Sequence, residues 1–186
     1  EAVDNQPSTE SNGNWFIAIM KQYGPMLLRG TGMTLLISLV GTIVGFIIGL
    51  LVGIIRTTPK PKKLGQRGLR AVINWLLSLY IEVFRGTPMI VQAAVLYYGA
   101  AQAWHLNMDR TTAALLIVSI NTGAYISEII RGGIISVDEG QFEAANALGM
   151  THLQTMMKVI LPQAVRNSLP AVTNEFIVNI KDTSVL

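Results

Sequence analysis

The chain has 186 residues, of which 51% are hydrophobic and only 13% are charged; soluble domains carry about 25% charged residues, so the composition favours a membrane protein. The net charge of +3 comes without a basic, aromatic-rich groove, which argues against nucleic-acid binding. The absence of cysteine excludes disulfides and thiolate metal sites, and the two distant histidines do not suggest a metal site.

Residues 1–14 read EAVDNQPSTESNGN and contain no apolar run, so they are not a signal peptide. Their composition predicts an external flexible linker or tail. Because the chain starts with Glu1 rather than Met, we expect either a fused external domain upstream or a processed start; a plain disordered tail is the alternative.

The first predicted span is residues 33–55, an uncharged run of 23 residues, long enough to cross a hydrocarbon core of about 30 Å. Glycine recurs every fourth position in it, at Gly41, Gly45, Gly49 and Gly53. These glycines lie on one helix face and predict close packing against another helix, with pore lining as the alternative.

The membrane orientation follows from residues 56–70, which hold six Lys or Arg and no acid. The positive-inside rule places this loop in the cytoplasm and the N-terminus outside. Residues 71–104 are then a kinked span that returns outward, interrupted at Gly86 and Pro88.

The second half of the chain continues this topology. Residues 111–130 form an inward span, capped by Asp109, and residues 168–186 begin a further span that is incomplete. Residues 132–167, here called the docking loop, are therefore cytoplasmic.

The docking loop contains two helix-start patterns, Ser136 with Glu139 and Thr151 with Gln154. The first helix is expected to end near Leu148, with Gly149 as a left-handed stop. In the second helix one apolar stripe is expected to pack on the spans, and Pro162 is expected to end the run or bend it. The stripe consists of Leu153, Met156, Met157, Ile160 and Leu161.

The residues Glu143-Ala144-Ala145, then Gly149, Val159 and Leu161-Pro162, resemble the EAA loop of ABC importer permeases. Val159 stands where that family usually has Ile. The stretches GTGMTLLIS, EVFRGTPMIVQ, GAYISEIIRGGI and LPAVTNEFIVNIKDTS are similar to the polar amino acid branch of the family, and the resemblance covers residues 25–186.

The resemblance implies an all-α membrane protein with the type I ABC importer fold over residues 15–186, with about five spans when complete, the last missing here. It implies an importer for polar amino acids in the plasma (inner) membrane of a prokaryote. Residues of the EAA pattern, Glu143, Ala144, Ala145, Gly149, Leu161 and Pro162, would couple the chain to a cytoplasmic ABC ATPase dimer.

The expected partners also include a second permease subunit, identical or related, an external binding protein or fused domain, the amino acid and the lipid bilayer. The sequence has no G-x-x-x-x-G-K-[ST] phosphate loop and no nucleophile motif, so we expect no enzymatic activity of its own. ATP and Mg²⁺ are expected on the partner ATPase, with no cofactor on this chain.

Ionisable residues within spans are costly and suggest function. Glu82 with Arg85, and Glu128 with Arg131, are three residues apart and predict ion pairs within a helix near the cytoplasmic ends, with gating as the alternative. A second set could line a substrate path or serve interhelical hydrogen bonding. It consists of Asn121, Thr122, Tyr125, Asn174 and Glu175, of which Glu175 is the best candidate for contact with a cationic group.

Two other function classes remain open from the residues alone. A proton-coupled secondary transporter would use Glu82, Glu128 or Glu175, but it needs no docking loop. A membrane scaffold without transport needs no acids within its spans.

Overall fold

A computed structural model describes residues 12–58, 64–104 and 108–186. All regular structure in these ranges is helical, which confirms the predicted all-α class. The elements are α1 (Asn12–Thr57), α2 (Leu64–Gly86), α3 (Met89–Trp104), α4 (Arg110–Ile135), α5 (Glu139–Ala147), α6 (His152–Thr155), a π-helical segment (Met156–Ile160) and α7 (Leu161–Thr183).

The first helix is much longer than the predicted span at 33–55. It has 46 residues and contains Pro25 without ending there. Residues 12–14 of the predicted linker therefore belong to α1, while residues 1–11 lie outside the described part of the chain.

In the part of the chain that the structure describes, two helical stretches, Trp15–Thr57 and Arg110–Ile135, are long and apolar enough to cross a membrane. The pair Gly65–Gly86 and Met89–Gly99 passes the same criteria only when taken together, and it bends by 111° at the break before Met89. The break falls at the predicted kink, between Gly86 and Pro88. Proline lacks the N–H needed to continue the helical ladder.

The core of the fold is the contact between α1 and α4. Each glycine of the α1 stripe lies against one residue of α4, at Val118, Thr122, Ile126 and Ile130 in that order. Both series rise in steps of four, so the two helices run in the same direction. The prediction that the glycines serve helix packing is confirmed.

The last helix, α7, runs opposite to α4. Ser168, near the start of α7, donates a hydrogen bond to the carbonyl of Ile129 at 3.3 Å, whereas Asn179 lies beside Thr122 at 3.1 Å. Asp109 caps α4 by accepting a 3.0 Å bond from the Thr112 N–H, as predicted. Its hydrogen bonds from the Thr112 hydroxyl and N–H hold the pKa of Asp109 below its ordinary value.

Candidate functional site

The docking loop begins with α5, whose N-cap is Asp138. The Asp138 carboxylate accepts a bond of 2.8 Å from the N–H of Gly140. The predicted capping box of Ser136 and Glu139 is wrong, because α4 extends to Ile135 and uses Ser136 at its own end. There the Ser136 hydroxyl donates to the carbonyl of Gly133 at 2.8 Å.

The C-terminal end of α5 is fixed by a turn at Gly149, which has a φ of 72°. The Met150 N–H donates to the Ala145 carbonyl at 3.1 Å, and the Gly149 N–H donates to the Asn146 carbonyl at 2.9 Å. This pair of bonds is the Schellman motif, which places its left-handed residue at Gly149. The predicted left-handed stop is confirmed.

The second helix-start pattern is also confirmed. Thr151 and Gln154 form a reciprocal capping box: the Thr151 N–H donates to the Gln154 side chain at 2.9 Å. The Gln154 N–H in turn lies 3.4 Å from the Thr151 hydroxyl. Both sides of the corner between α5 and α6 are therefore held by local hydrogen bonds.

One side of α5 is buried against the rest of the molecule. Ala145 is 3% exposed, and Phe142 on the same helix packs against a core cluster that includes Ile134 of α4 and Ala164 of α7. The expectation that Ala145 presents its side chain to a partner is wrong, because the side chain is buried within this chain. Glu143 and Ala144 are exposed, as is the acid Glu139 in the first turn, so the free side of α5 carries acidic and small residues.

The predicted apolar stripe after Thr151 is only partly buried. Met156, Ile160 and Leu161 are in the core, but Leu153 and Met157 are 70% and 53% exposed. The reason is the π-helical segment, in which the N–H of Leu161 bonds to the carbonyl of Met156. In a ladder of i→i+5 hydrogen bonds, residues five apart lie on the same face. The predicted stripe assumed instead the spacing of three and four residues that an α-helix has.

Pro162 does not end the helical run, so the first of the two outcomes predicted for it is wrong. It occupies the first turn of α7, where a proline loses no required hydrogen bond. The side-chain amide of Gln163 donates to the carbonyl of Val159 at 2.9 Å. Leu161 is buried and Pro162 is exposed.

The second group of predicted site residues surrounds the break between α2 and α3. The Gln92 side-chain amide donates to the carbonyls of Phe84 and Thr87, both at 2.9 Å. The Asn121 amide donates to the Phe84 carbonyl at 3.1 Å and to the Gln92 side chain at 2.9 Å. Together they satisfy carbonyls that the break leaves without helical partners, which favours the structural role for Asn121.

Asn121 lies midway along α4, so the break and its neighbours Glu82 and Arg85 lie at the same depth. The prediction that these two charges lie near the cytoplasmic end of their span is wrong, because they lie at the end of α2 that is far from the basic loop, with a long stretch of helix in between. Their predicted ion pair is also absent from the described residues: both side chains are exposed.

Arg85 instead faces Tyr125, with its guanidinium carbon 5.4 Å from the ring centre. The charges of Asp182 and Arg85 both act electrostatically on the carboxylate of Glu175 in α7. Glu175 is 9% exposed, whereas the adjacent Asn174 is exposed. A cation, an aromatic ring and an acid from three helices therefore lie in one region of the molecule.

Thr122 belongs to a different, fully buried group centred on Asn179. The Asn179 amide donates to the Thr42 hydroxyl at 2.9 Å, and the Thr122 hydroxyl lies 3.1 Å from the Asn179 side-chain oxygen. Ser38 donates to the Asn179 backbone carbonyl at 3.2 Å. Sequence reasoning missed Asn179, although its spacing of four residues from Glu175 could have indicated a shared helix face.

The predicted pair of Glu128 and Arg131 is present, with 2.8 Å between Oε2 and Nη2. Glu128 also pairs with Arg56, in the last turn of α1. Arg56 in addition reaches the Ser78 hydroxyl of α2 at 3.4 Å. Glu128 and Arg56 together thus connect α4, α1 and α2, a contact that spacing along one helix could not predict.

A cavity of about 410 Å³ opens between α3, the first half of α4 and the last two residues. Its walls are mainly apolar, with Tyr97, Tyr98 and Arg110 at the edge, and it contains none of the predicted path residues. Within the described ranges no cluster of three or more His, Cys, Asp or Glu could hold a metal ion.

The family described as "binding-protein-dependent transport system inner membrane component" matches residues 64–186. The L-cystine transport system permease protein TcyB of Bacillus subtilis (strain 168) is 46% identical over 113 residues, which cover 61% of this chain and 48% of that protein. The glutamine transport system permease protein GlnP of Escherichia coli (strain K12) is 41% identical over 162 residues, covering 87% of this chain and 69% of that protein. The chain thus spans only about half the length of TcyB.

Among solved structures, a crystal structure of an amino acid ABC transporter with histidines matches with a TM-score of 0.73 at 39% identity. The match covers 89% of this chain and 72% of that chain. An inward-facing MetNI methionine ABC transporter matches with a TM-score of 0.68 at 22% identity, covering 87% of this chain and 73% of that one. The second match speaks for the fold alone.

Proposed function

This chain belongs to the family of binding-protein-dependent transport system inner membrane components, with the type I ABC importer fold, and from that premise we propose that it is the permease subunit of an ATP-driven importer for polar amino acids. Two such subunits, identical or related, would form the path across a prokaryotic plasma membrane, with the N-terminus outside. An external binding protein or fused domain would deliver the substrate. A cytoplasmic ATPase dimer would bind ATP and Mg²⁺.

The observation that carries the proposal is the construction of α5. Its outer face, with Glu143 and Ala144, is exposed, while Phe142 packs α5 against the core cluster formed by α4, the π-helical segment and α7. A partner that binds the outer face of α5 can therefore displace α4 and α7 through the packed contact between α5 and the core cluster. Closely packed cores transmit such displacements because they deform little.

The rigidity of the corner after α5 supports the same role. Gly149 is left-handed, and a β-branched residue is a strained outlier in that conformation. Strain of this kind costs on the order of 1–3 kcal/mol, which is small for a bundle of long helices. It is enough to tilt α5 away from the orientation that the Schellman bonds fix.

The docking test compares Gly149→Val with Gly149→Asn, because Asn tolerates the left-handed conformation. We expect the Val variant to be inserted normally but to lose ATP-driven uptake, with weak capture of the ATPase in a pull-down or hydrolysis without transport. The Asn variant should remain close to wild type. Wild-type uptake in the Val variant would show that the corner does not couple the two subunits.

Charge at Glu143 provides an independent test of the same surface. Glu143→Lys reverses the exposed charge without changing the corner, and Glu143→Gln removes it with almost the same shape. We expect ATPase capture and uptake to fall most in the Lys variant. Equal, unaltered uptake in both would mean that the free face of α5 does not meet the ATPase.

We propose that the substrate path runs past the region of Arg85, Tyr125 and Glu175. A free amino acid carries a carboxylate and an ammonium group, and this region offers charges of both signs at the depth of the helix break. The buried polar groups Asn121 and Thr122 hold helices together instead. In this arrangement Glu175 contacts a cationic group of the substrate.

The path test uses Glu175→Gln, with Asn174→Ala as an exposed neighbour on the same helix. Glu175→Gln should weaken uptake of cationic amino acids while ATPase capture stays normal, and Asn174→Ala should change neither. Unchanged uptake kinetics for every amino acid carried would assign Glu175 a purely structural role.

A further inference from the structure

The first part of α1 projects beyond the helices that pack on it. Gly41 lies opposite Val118, and the two helices run in the same direction, so the start of α4 at Arg110 is level with Met33. Residues 12–32 therefore extend about 30 Å past the start of α4 at 1.5 Å per residue. The whole apolar stretch Trp15–Thr57 would be about 65 Å long, against about 40–45 Å for a bilayer with its headgroups.

Large apolar side chains on this projecting part are uncovered. The described residues leave eight of them between 44% and 76% exposed: Trp15, Phe16, Ile17, Met20, Tyr23, Met26, Leu27 and Leu28. Such a surface standing in water is unfavourable, because each buried CH₂ is worth about 0.8 kcal/mol. The apolar surface of this segment must therefore be shielded from water.

The arrangement of polar residues indicates which environment shields the apolar surface from water. At 100° per residue, Lys21, Gln22 and Arg29 fall within an arc of about 100°, and the eight apolar residues fill the remainder of the circumference. A helix with cations on a narrow polar face and Trp, Phe and Leu opposite is suited to lie in the plane of a membrane surface. Lys21 and Arg29 would meet lipid phosphates by charge complementarity.

The chain also contains a place to bend. A Cβ added to Gly30 or Gly32 would meet nothing within 4 Å, so no packing contact requires these glycines. Glycine weakens a helix by about 1 kcal/mol relative to Ala, and helix kinks concentrate at such residues. The bend would separate a surface-lying part, residues 15–29, from the spanning part that begins with the packed face at Ile37.

We propose that residues 15–29 form an interfacial helix that lies in the phospholipid headgroup region of the leaflet at the N-terminal end of α1, on the opposite side from α5. Its apolar arc faces the acyl chains, and Lys21 and Arg29 face the phosphates. Gly30 and Gly32 form the joint with the spanning helix. The segment anchors the chain at a fixed height in the bilayer, independently of substrate and ATPase.

The experiment uses the absence of cysteine, which allows single-cysteine spin labels in the otherwise unaltered chain. Labels replace Phe16, Met20 and Leu27 on the apolar arc and Gln22 on the polar arc, in vesicles of phosphatidylethanolamine and phosphatidylglycerol. Electron paramagnetic resonance then compares collisions with oxygen, which is concentrated in the membrane, and with a water-soluble nickel chelate. Leu39, Ile43 and Ile47, exposed further along α1, serve as controls whose depth should change steadily.

We expect the three apolar-arc labels to share one depth, about 5–10 Å below the phosphates, with Gln22 accessible to the chelate. Replacing Lys21 and Arg29 by Glu should raise chelate access at all three positions. Steadily changing depth from Phe16 to Leu27, or chelate access at all of them, would overturn the proposal in favour of a straight projecting helix. If the labels are poorly accessible to both oxygen and the chelate, and labels on different copies show spin–spin coupling, the proposal is overturned in favour of a protein partner.

Discussion

Gly49 on α1 lies so close to Ile126 on α4 that a methyl group on its Cα would come within 2.7 Å of the isoleucine Cγ2. The backbone nitrogen of Ser127 would be only 2.8 Å away. At Gly41 the obstacle is different, because a Cβ would meet mainly the Val118 side chain, at 2.5 Å, and the nearest backbone atom is 3.7 Å distant. The same glycine stripe thus contacts backbone at one level and side chain at another.

This difference predicts two responses to alanine. Gly41→Ala and Gly49→Ala should each destabilise the bundle by about 1–3 kcal/mol through overpacking. Val118→Ala should restore much of the loss in the Gly41 variant, since it removes the obstructing methyl groups. Ile126→Ala should not restore the Gly49 variant, because the Ser127 backbone remains. Thermal unfolding in detergent measures all four.

Gly68→Ala is the matched control for this series, because a Cβ there meets nothing within 4 Å. It should leave the unfolding temperature unchanged or raise it slightly. Full tolerance of alanine at Gly49 would contradict the close approach of α1 and α4.

Asn179 should be the most sensitive polar residue of α7. Asn179→Leu leaves the hydroxyls of Thr42 and Thr122 without their shared amide, and an unsatisfied buried group costs about 1–3 kcal/mol. Asn174→Leu, at an exposed position of the same helix, should cost much less. If both substitutions lower the unfolding temperature equally, the hydrogen bonds of Asn179 with Thr42 and Thr122 do not hold the three helices together.

Gln92 should control the break between α2 and α3. In Gln92→Leu the new side chain has almost the same size but cannot donate hydrogen bonds to the carbonyls of Phe84 and Thr87. Amide hydrogen exchange at residues 84–92 should therefore become faster. Gln102→Leu, on an exposed position of α3, should have no such effect. Unchanged exchange in the Gln92 variant would mean that water or the backbone satisfies the break.

Local signals in the sequence predicted local structure well. The cap at Asp109, the left-handed Gly149 and the capping box at Thr151 each depend on residues within a few positions, which the sequence shows directly. The glycine stripe indicated a packing face for the same reason. Ser136 was misassigned because two helices compete for it, and only the true end of α4 decides between them.

Contacts between distant segments could not be predicted in this way. The partners of Glu128 on α1 and of Asn121 on α3 come from parts of the chain separated by 72 and 29 residues. The π-helical segment is a further case, because it changes which residues face the core while the sequence still shows an α-helical period. Arg85 was placed at the wrong depth because the start of α2 was predicted too late.

The most direct test of the proposed function is the driving force for uptake. The chain, with any upstream and downstream parts of its gene, is reconstituted with its ATPase and binding protein in vesicles, and uptake of radiolabelled polar amino acids is followed. Uptake should require ATP on the side of α5 and stop when the ATPase active site is inactivated, whether or not a proton gradient is present. Uptake driven by a proton gradient without ATP would contradict the account.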